Sequence, residues 1–431
     1  MRPRFRFLLT LVLGAAARAD EGGAAADWSV HAQSTMIAQS HGDFPAPYSW
    51  ERSLDPRYEQ AETVTATVFL GRKLWPGGEL YFNPELTQGS GLSGTSGIAG
   101  FPNGEATHAG SVRPSVSTAR LFLRQTFGLG GGTEQLADDQ NQVAGAVDAD
   151  RIIVTAGKFA AEDVFDGNAY AHDPRTQFLN WDLMADVAWD YPANAKGYTG
   201  GLAVEWHTAS RSLRWGFLME PQEANGAGLD PHVPATGGQV LEAEQRYAFG
   251  RHSGAIRILG YWNRAHMGDY AAALRMARPD VTQSRADRSK AGAGLSWDQE
   301  LAADVGAFAR AGCNDGRTES WAFTEADRTA TAGLSLAGAA WGRPGDTLAF
   351  AGALDGLSDL HRRYLAAGGE GFIVGDGRLN YGTENIFETY YAWRLTGWLT
   401  ASPDYQYVWH PAYNRDRGPV GIVGLRLHAE Y

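Results

Sequence analysis

The sequence predicts an all-β fold, a 16-stranded antiparallel transmembrane β-barrel of the outer-membrane type. Apolar and polar residues alternate with period two in segment after segment along the chain. The connections between these segments alternate between long and short. Past residue 19, no apolar run approaches the roughly 20 residues that a membrane helix needs.

The chain opens on Arg2, Arg4 and Arg6, followed by the apolar run Phe7 to Ala17 and the small-x-small site Ala17-Arg18-Ala19. This is the pattern of a cleaved secretory signal peptide, residues 1–19, and it implies export. Residues 20–431 then form one barrel domain, with no Pro- or Ser-rich linker to divide them; Gly128–Gly132 is Gly-rich but short. Lys and Arg number 37 against 49 Asp and Glu, a net charge of −12, and loss of the signal's arginines makes it more negative. That excludes a nucleic-acid partner, which would call for basic patches. Cys313 is the single cysteine, so no intrachain disulfide can form.

The strands fall, in order, at 28–39, 62–73, 78–86, 117–128, 151–159, 198–208, 211–220, 240–249, 254–265, 290–298, 303–312, 328–341, 346–356, 388–400, 404–410 and 420–431. Two-sided patterning supports them. Ala119, Leu121 and Leu123 oppose Arg120, Phe122 and Arg124. Leu202, Val204 and Trp206 oppose Glu205 and His207, and Ile256, Ile258 and Trp262 oppose Arg257, Tyr261 and Asn263. Tyr391, Trp393 and Leu395 oppose Tyr390, Arg394 and Thr396. In the closing strand, Val423, Leu425, Leu427, Ala429 and Tyr431 oppose Arg426, His428 and Glu430. In a barrel the apolar face meets lipid and the charged face lines a lumen, which sixteen strands leave open to water.

Short connections carry turn chemistry, as in Trp75-Pro76-Gly77-Gly78, Arg343-Pro344-Gly345-Asp346 and Ser402-Pro403-Asp404. Outer-membrane barrels have short periplasmic turns and long external loops. Two connections depart from this rule: 129–150 is long where a short turn is due, and 411–419 is short where a long loop is due.

Several ordered motifs carry a resemblance across nearly all of the mature chain. They include Gly78 to Glu85 (GELYFNPE), Gly157-Lys158-Phe159, Asp163 to Tyr170 (DVFDGNAY), Asp173 to Asn180 (DPRTQFLN), His266 to Tyr270 (HMGDY) and Pro411 to Pro419 (PAYNRDRGP). The sequence resembles the carbohydrate-selective porins of the OprB family. The resemblance implies a porin-type barrel through which mono- and oligosaccharides diffuse inward. It also implies that the third external connection, 160–197, folds into the lumen as a constriction. Some family members carry an N-terminal envelope-anchoring domain; here barrel patterning begins soon after the signal, so none is expected.

A neutral sugar is covered in hydroxyls that both donate and accept, so a selective wall must offer both. The expected pore-lining set is Arg120, Arg124, Arg257 and Arg394 with Glu205 from the strands, and Asp163, Asp166, Asn168, Asp173 and Arg175 from 160–197. Arg214, Glu242, Glu244 and His207 share the inward faces, while Arg426, His428 and Glu430 are placed near the periplasmic mouth. Trp181, Trp189 and Tyr191 could offer flat faces to a sugar, but a short helix over 178–189 packing them on the wall explains them better.

No cofactor or metal is expected, since the acidic loop matches no standard calcium spacing. Gly368 to Gly377 (GGEGFIVGDG) lacks the strand, helix and Lys of a phosphate loop. Ser117 and Ser335 sit on strands outside any Gly-x-Ser-x-Gly turn, so no enzyme is expected. The alternatives are a polysaccharide-export barrel, which calls for a more basic lumen, an outer-membrane enzyme and a secreted sugar-binding β-protein. Expected partners are permeant sugars, outer-membrane lipid and the barrel-assembly machinery, engaged through the strand ending at Tyr431.

Overall fold

The computed structural model describes residues 27–107 and 110–431; the expected signal peptide lies outside them. Sixteen strands close into a single barrel, each antiparallel to its neighbours. They are β1 (Trp28–His41), β2 (Glu59–Trp75), β3 (Gly78–Gly89), β4 (Ser111–Leu136), β5 (Gly145–Phe159), β6 (Thr199–His207), β7 (Arg211–Leu218) and β8 (Gly237–Phe249). The second half comprises β9 (His252–Ala265), β10 (Arg288–Ala302), β11 (Val305–Asn314), β12 (Arg328–Ala337), β13 (Thr347–Gly356), β14 (Glu384–Arg394), β15 (Leu399–Trp409) and β16 (Val420–Glu430). Closure comes from β1 on β16, in a register running from Gln33 opposite Glu430 to His41 opposite Ile422. Every expected strand is present, and long and short connections fall at opposite ends of the barrel.

The faces follow the alternation. Ile258, Leu354 and Val423 are exposed on the outer wall, while Tyr261, Asn263 and Arg426 are buried within. Ala119 is an exception. It is fully buried, because a bulge opposite Asn83 and Pro84 inserts one extra residue in β4 and shifts the parity there. The expected turn at 401–403 is also displaced. Ser402-Pro403-Asp404 lies inside β15, and the chain turns at 395–398 instead. Pro403 pairs with Leu425 of β16, but the β14 ladder is interrupted between Tyr390–Asp404 and Trp393–Ala401, where Pro403 has no N–H to give.

The barrel is filled from its long-loop end. Leu92, Ile98 and Phe101 of the second long loop meet Phe178, Trp181, Leu183 and Trp189 of the third, together with Phe323 and Ile373. This loop-built core packs through its rings. Trp181 stacks on Phe323 with centroids 5.1 Å apart, and Tyr191 lies 4.4 Å from Phe323. The aromatics of 178–191 are therefore packing groups. The helix expected over 178–189 is a single turn, α1 (Trp181–Met184), capped by the Asn180 side chain accepting from Asp182 N–H. Two further helices, α2 (Tyr270–Ala273) and α3 (Asp359–Ala366), pack in the long loops.

Candidate functional site

The third long loop enters the lumen and meets the inner wall in two polar clusters. The first lies against β2 to β5. Arg120, on β4, grips Asp163 with two parallel bonds, Nε–Oδ2 at 2.7 Å and Nη2–Oδ1 at 2.5 Å. Nη1 of Arg120 has no hydrogen-bond partner among the described residues. The guanidinium also lies 5.4 Å from the Tyr198 ring centroid. Arg175 bridges Glu105 of the second loop at 3.0 Å and Glu85 of β3 at 3.1 Å. Tyr198 donates its hydroxyl to Glu85 at 2.9 Å. Lys196 reaches Ser115 at 3.0 Å, and Lys158 donates to the Thr118 carbonyl at 2.7 Å.

Burial pushes the Asp163 carboxyl upward, but Arg120 and the Ala160 N–H outweigh it and hold the group below the usual carboxylate range. Asp163 is thus a fixed acceptor facing a fixed donor. Its side chain is 29 % accessible and that of Arg120 13 %, so the pair is open on one side. Arg120 and Arg175 face Asp163, Glu85 and Glu105, so the cluster holds both hydrogen-bond donors and acceptors.

The second cluster lies on β6 to β10. Arg214 contacts Glu242 at 2.7 Å, Glu205 at 3.2 Å and Glu244 at 3.2 Å. Arg257 contacts Glu244 at 2.9 Å and also Asp298. Glu205 takes a further bond from His207 Nε2 at 3.1 Å. This is a lattice of paired charges along the neighbouring stretch of wall, and Glu205 and Arg257 are part of it.

Other expected residues have different roles. Asp166 is buried at 4 % and ties the loop to the barrel: its carboxylate accepts from Arg310 at 2.9 Å and from the Asp186 N–H at 2.7 Å. Asn168 likewise pins the loop to β10 through Ser296 at 3.1 Å. Asp173 accepts from the Arg175 N–H at 2.9 Å and shapes the turn that presents Arg175. Arg124 lies at the short-turn end, donating to the Asn141 carbonyl at 2.9 Å. Arg394 is exposed at the rim of the 395–398 turn, bonded to the Gly397 carbonyl at 2.8 Å, because β14 ends there. Arg426, expected away from the constriction, donates to the carbonyls of Pro174 at 2.7 Å and Gln177 at 2.6 Å and so holds the constricting loop.

Sequence reading passed over Glu85, Glu105, Lys196, Tyr198, Asp298 and Arg310. Glu85 ends the GELYFNPE motif, and that was its one available signal. Glu105 and Lys196 sit in loops without periodicity, where no pattern marks an inward residue.

A closed sixteen-stranded barrel with an apolar outer wall, a charge-paired inner wall and a long loop folded into its lumen is a porin. The profile described as "Carbohydrate-selective porin, OprB family" matches residues 53–431, and the chain belongs to that family. It is an outer-membrane carbohydrate channel. The fold is similar to the high-pH structure of Pseudomonas putida OprB, with a TM-score of 0.72 at 16 % identity over 94 % of each chain. The low-pH structure of that protein has a TM-score of 0.50 at 14 % identity, over 94 % of this chain and 93 % of that one. The outer membrane channel DcaP of Acinetobacter baumannii has a TM-score of 0.50 at 10 % identity, over 94 % of this chain and 97 % of that one. No curated protein matches the chain.

Proposed function

We propose that the protein lets neutral mono- and oligosaccharides diffuse passively into the periplasm and selects them at the Arg120–Asp163 and Arg175–Glu85–Glu105 cluster. The observation that carries this reading is the Arg120–Asp163 pair: a bidentate, partly open pairing of a wall donor on β4 with an acceptor on the inward loop. The pairing leaves Arg120 free N–H groups and Asp163 free lone pairs, so a sugar hydroxyl can bridge both. Glu205 and Arg257 extend the polar track along the adjoining strands of the wall. No covalent chemistry and no energy source take part. The signal peptide delivers the chain to the outer membrane, the strand ending at Tyr431 engages the assembly machinery, and the apolar outer wall meets lipid.

Liposome swelling with glucose and short oligosaccharides tests the reading. Arg120→Ala should raise the sugar half-saturation by about tenfold, the worth of one charge-assisted hydrogen bond, while the protein still runs as a heat-modifiable barrel. An unchanged half-saturation in assembled Arg120→Ala would remove this cluster from selection.

A further inference from the structure

The 129–150 connection, too long for a periplasmic turn, forms a flap that folds back into the barrel. Its arms are the ends of β4 and β5. The β3 ladder leaves β4 after Gly78–Gln125, and the β6 ladder joins β5 only at Arg151–His207. Between them the hairpin pairs only with itself, and β4 runs to 26 residues, where a tilted crossing needs about 9–11. The hairpin then bends. Gly130, Gly131 and Gly132 have φ of 92°, 76° and 102°, and the ladder shifts register on both sides of Gly130. Side-chain-bearing residues resist this conformation, so the glycine run is the bend.

The bend returns the tip, residues 137–144, to the inner wall. Ser29 on β1 donates to the Asp139 carbonyl at 3.1 Å, and Lys73 on β2 to the Ala144 carbonyl at 2.7 Å. On β3, Asn83 donates to Asn141 Oδ1 at 2.9 Å, and Tyr81 accepts from the Val143 N–H at 3.3 Å. Arg124 on β4 holds the Asn141 carbonyl, and Gln140 donates to Glu430 on β16 at 2.9 Å. Val143 is 2 % exposed, and Gly71 leaves the space that it and Tyr81 fill: a Cβ there would lie 3.2 Å from Val143 Cγ2. Five adjacent strands, β16 and β1 to β4, thus dock one segment. Asn141 spans from Arg124 to Asn83, and Asn83 stands opposite Arg120 in the ladder, so the tip lies on the short-turn side just beneath the Arg120–Asp163 pair.

We propose that segment 137–144 is a second constriction, on the exit side, which sets the upper size of the permeating sugar below the loop that selects it. This rests on the reading of the protein as a channel; its test uses ion current and does not depend on sugar selection. Replacing 128–151 by Asn-Gly joins Phe127 to Ile152, which are already paired. In planar bilayers that variant should conduct more per channel, on the order of 1.5–2-fold as a restriction is removed, and in swelling assays it should admit longer oligosaccharides. A second variant keeps the flap. With Cys313→Ser removing the native thiol, the exposed Asp139→Cys should lose current stepwise when a cationic methanethiosulfonate reagent is added. Parental conductance and size limit in the assembled deletion, or complete modification of the cysteine at 139 without a fall in current, would overturn the proposal.

Discussion

Asp166 and Arg310 form a buried pair, 2.9 Å apart, with side-chain accessibilities of 5 % and 0 %. Breaking such a pair strands a charge in a place that water does not reach. Asp166→Ala should therefore cost about 3–5 kcal/mol of barrel stability, visible as a lower temperature of heat modification. Its effect on sugar uptake should follow from a displaced loop. Glu162, four residues earlier, behaves differently. Burial, and then the neighbouring Asp166, push its carboxyl up to about 8. Between the ordinary carboxylate range and that value, the folded loop holds a proton that the unfolded chain has released. Loop packing is thus strongest in acid and weakens as pH rises towards about 8. Glu162→Gln should flatten this dependence; a midpoint-versus-pH curve parallel to that of the parent protein would refute the assignment.

At the scale of the element, each strand has one lipid face and one lumen face, and the two tolerate different errors. Ile258 on β9 is exposed to the membrane, and Arg257 beside it is locked in ion pairs. Ile258→Arg should destabilise the barrel by about 2–4 kcal/mol if it lies near the bilayer midplane, measured by urea titration in lipid vesicles. Strand positions were legible because alternation is a local signal. Strand ends were less so. Pro403 read as a turn residue, but its missing N–H falls where the β14 ladder is already broken. The glycine run at 128–132 read as a short loop, and only its positive φ values and shifted register mark it as the bend of a flap.

At the scale of the whole molecule, the barrel is apolar on the outside and is filled from within by its own loops. The alternating loop lengths foretold which end the long loops occupy, and the family resemblance pointed to 160–197 as the loop that enters the lumen. Composition, period-two patterning and loop spacing determined the fold class, the strand count and the membrane face, since each is written in residues close together in the chain. Only the tertiary structure decided which charges meet. Arg120 finds Asp163, Arg310 finds Asp166, and Arg426 finds the carbonyls of Pro174 and Gln177 from the far end of the chain. The same inward-facing pattern covers an arginine paired with the inward loop, a loop anchor and a rim residue such as Arg394. Alternation says which side of the wall a side chain takes; its partner depends on the path of the loops through the lumen, and that path is set by packing between segments distant in sequence.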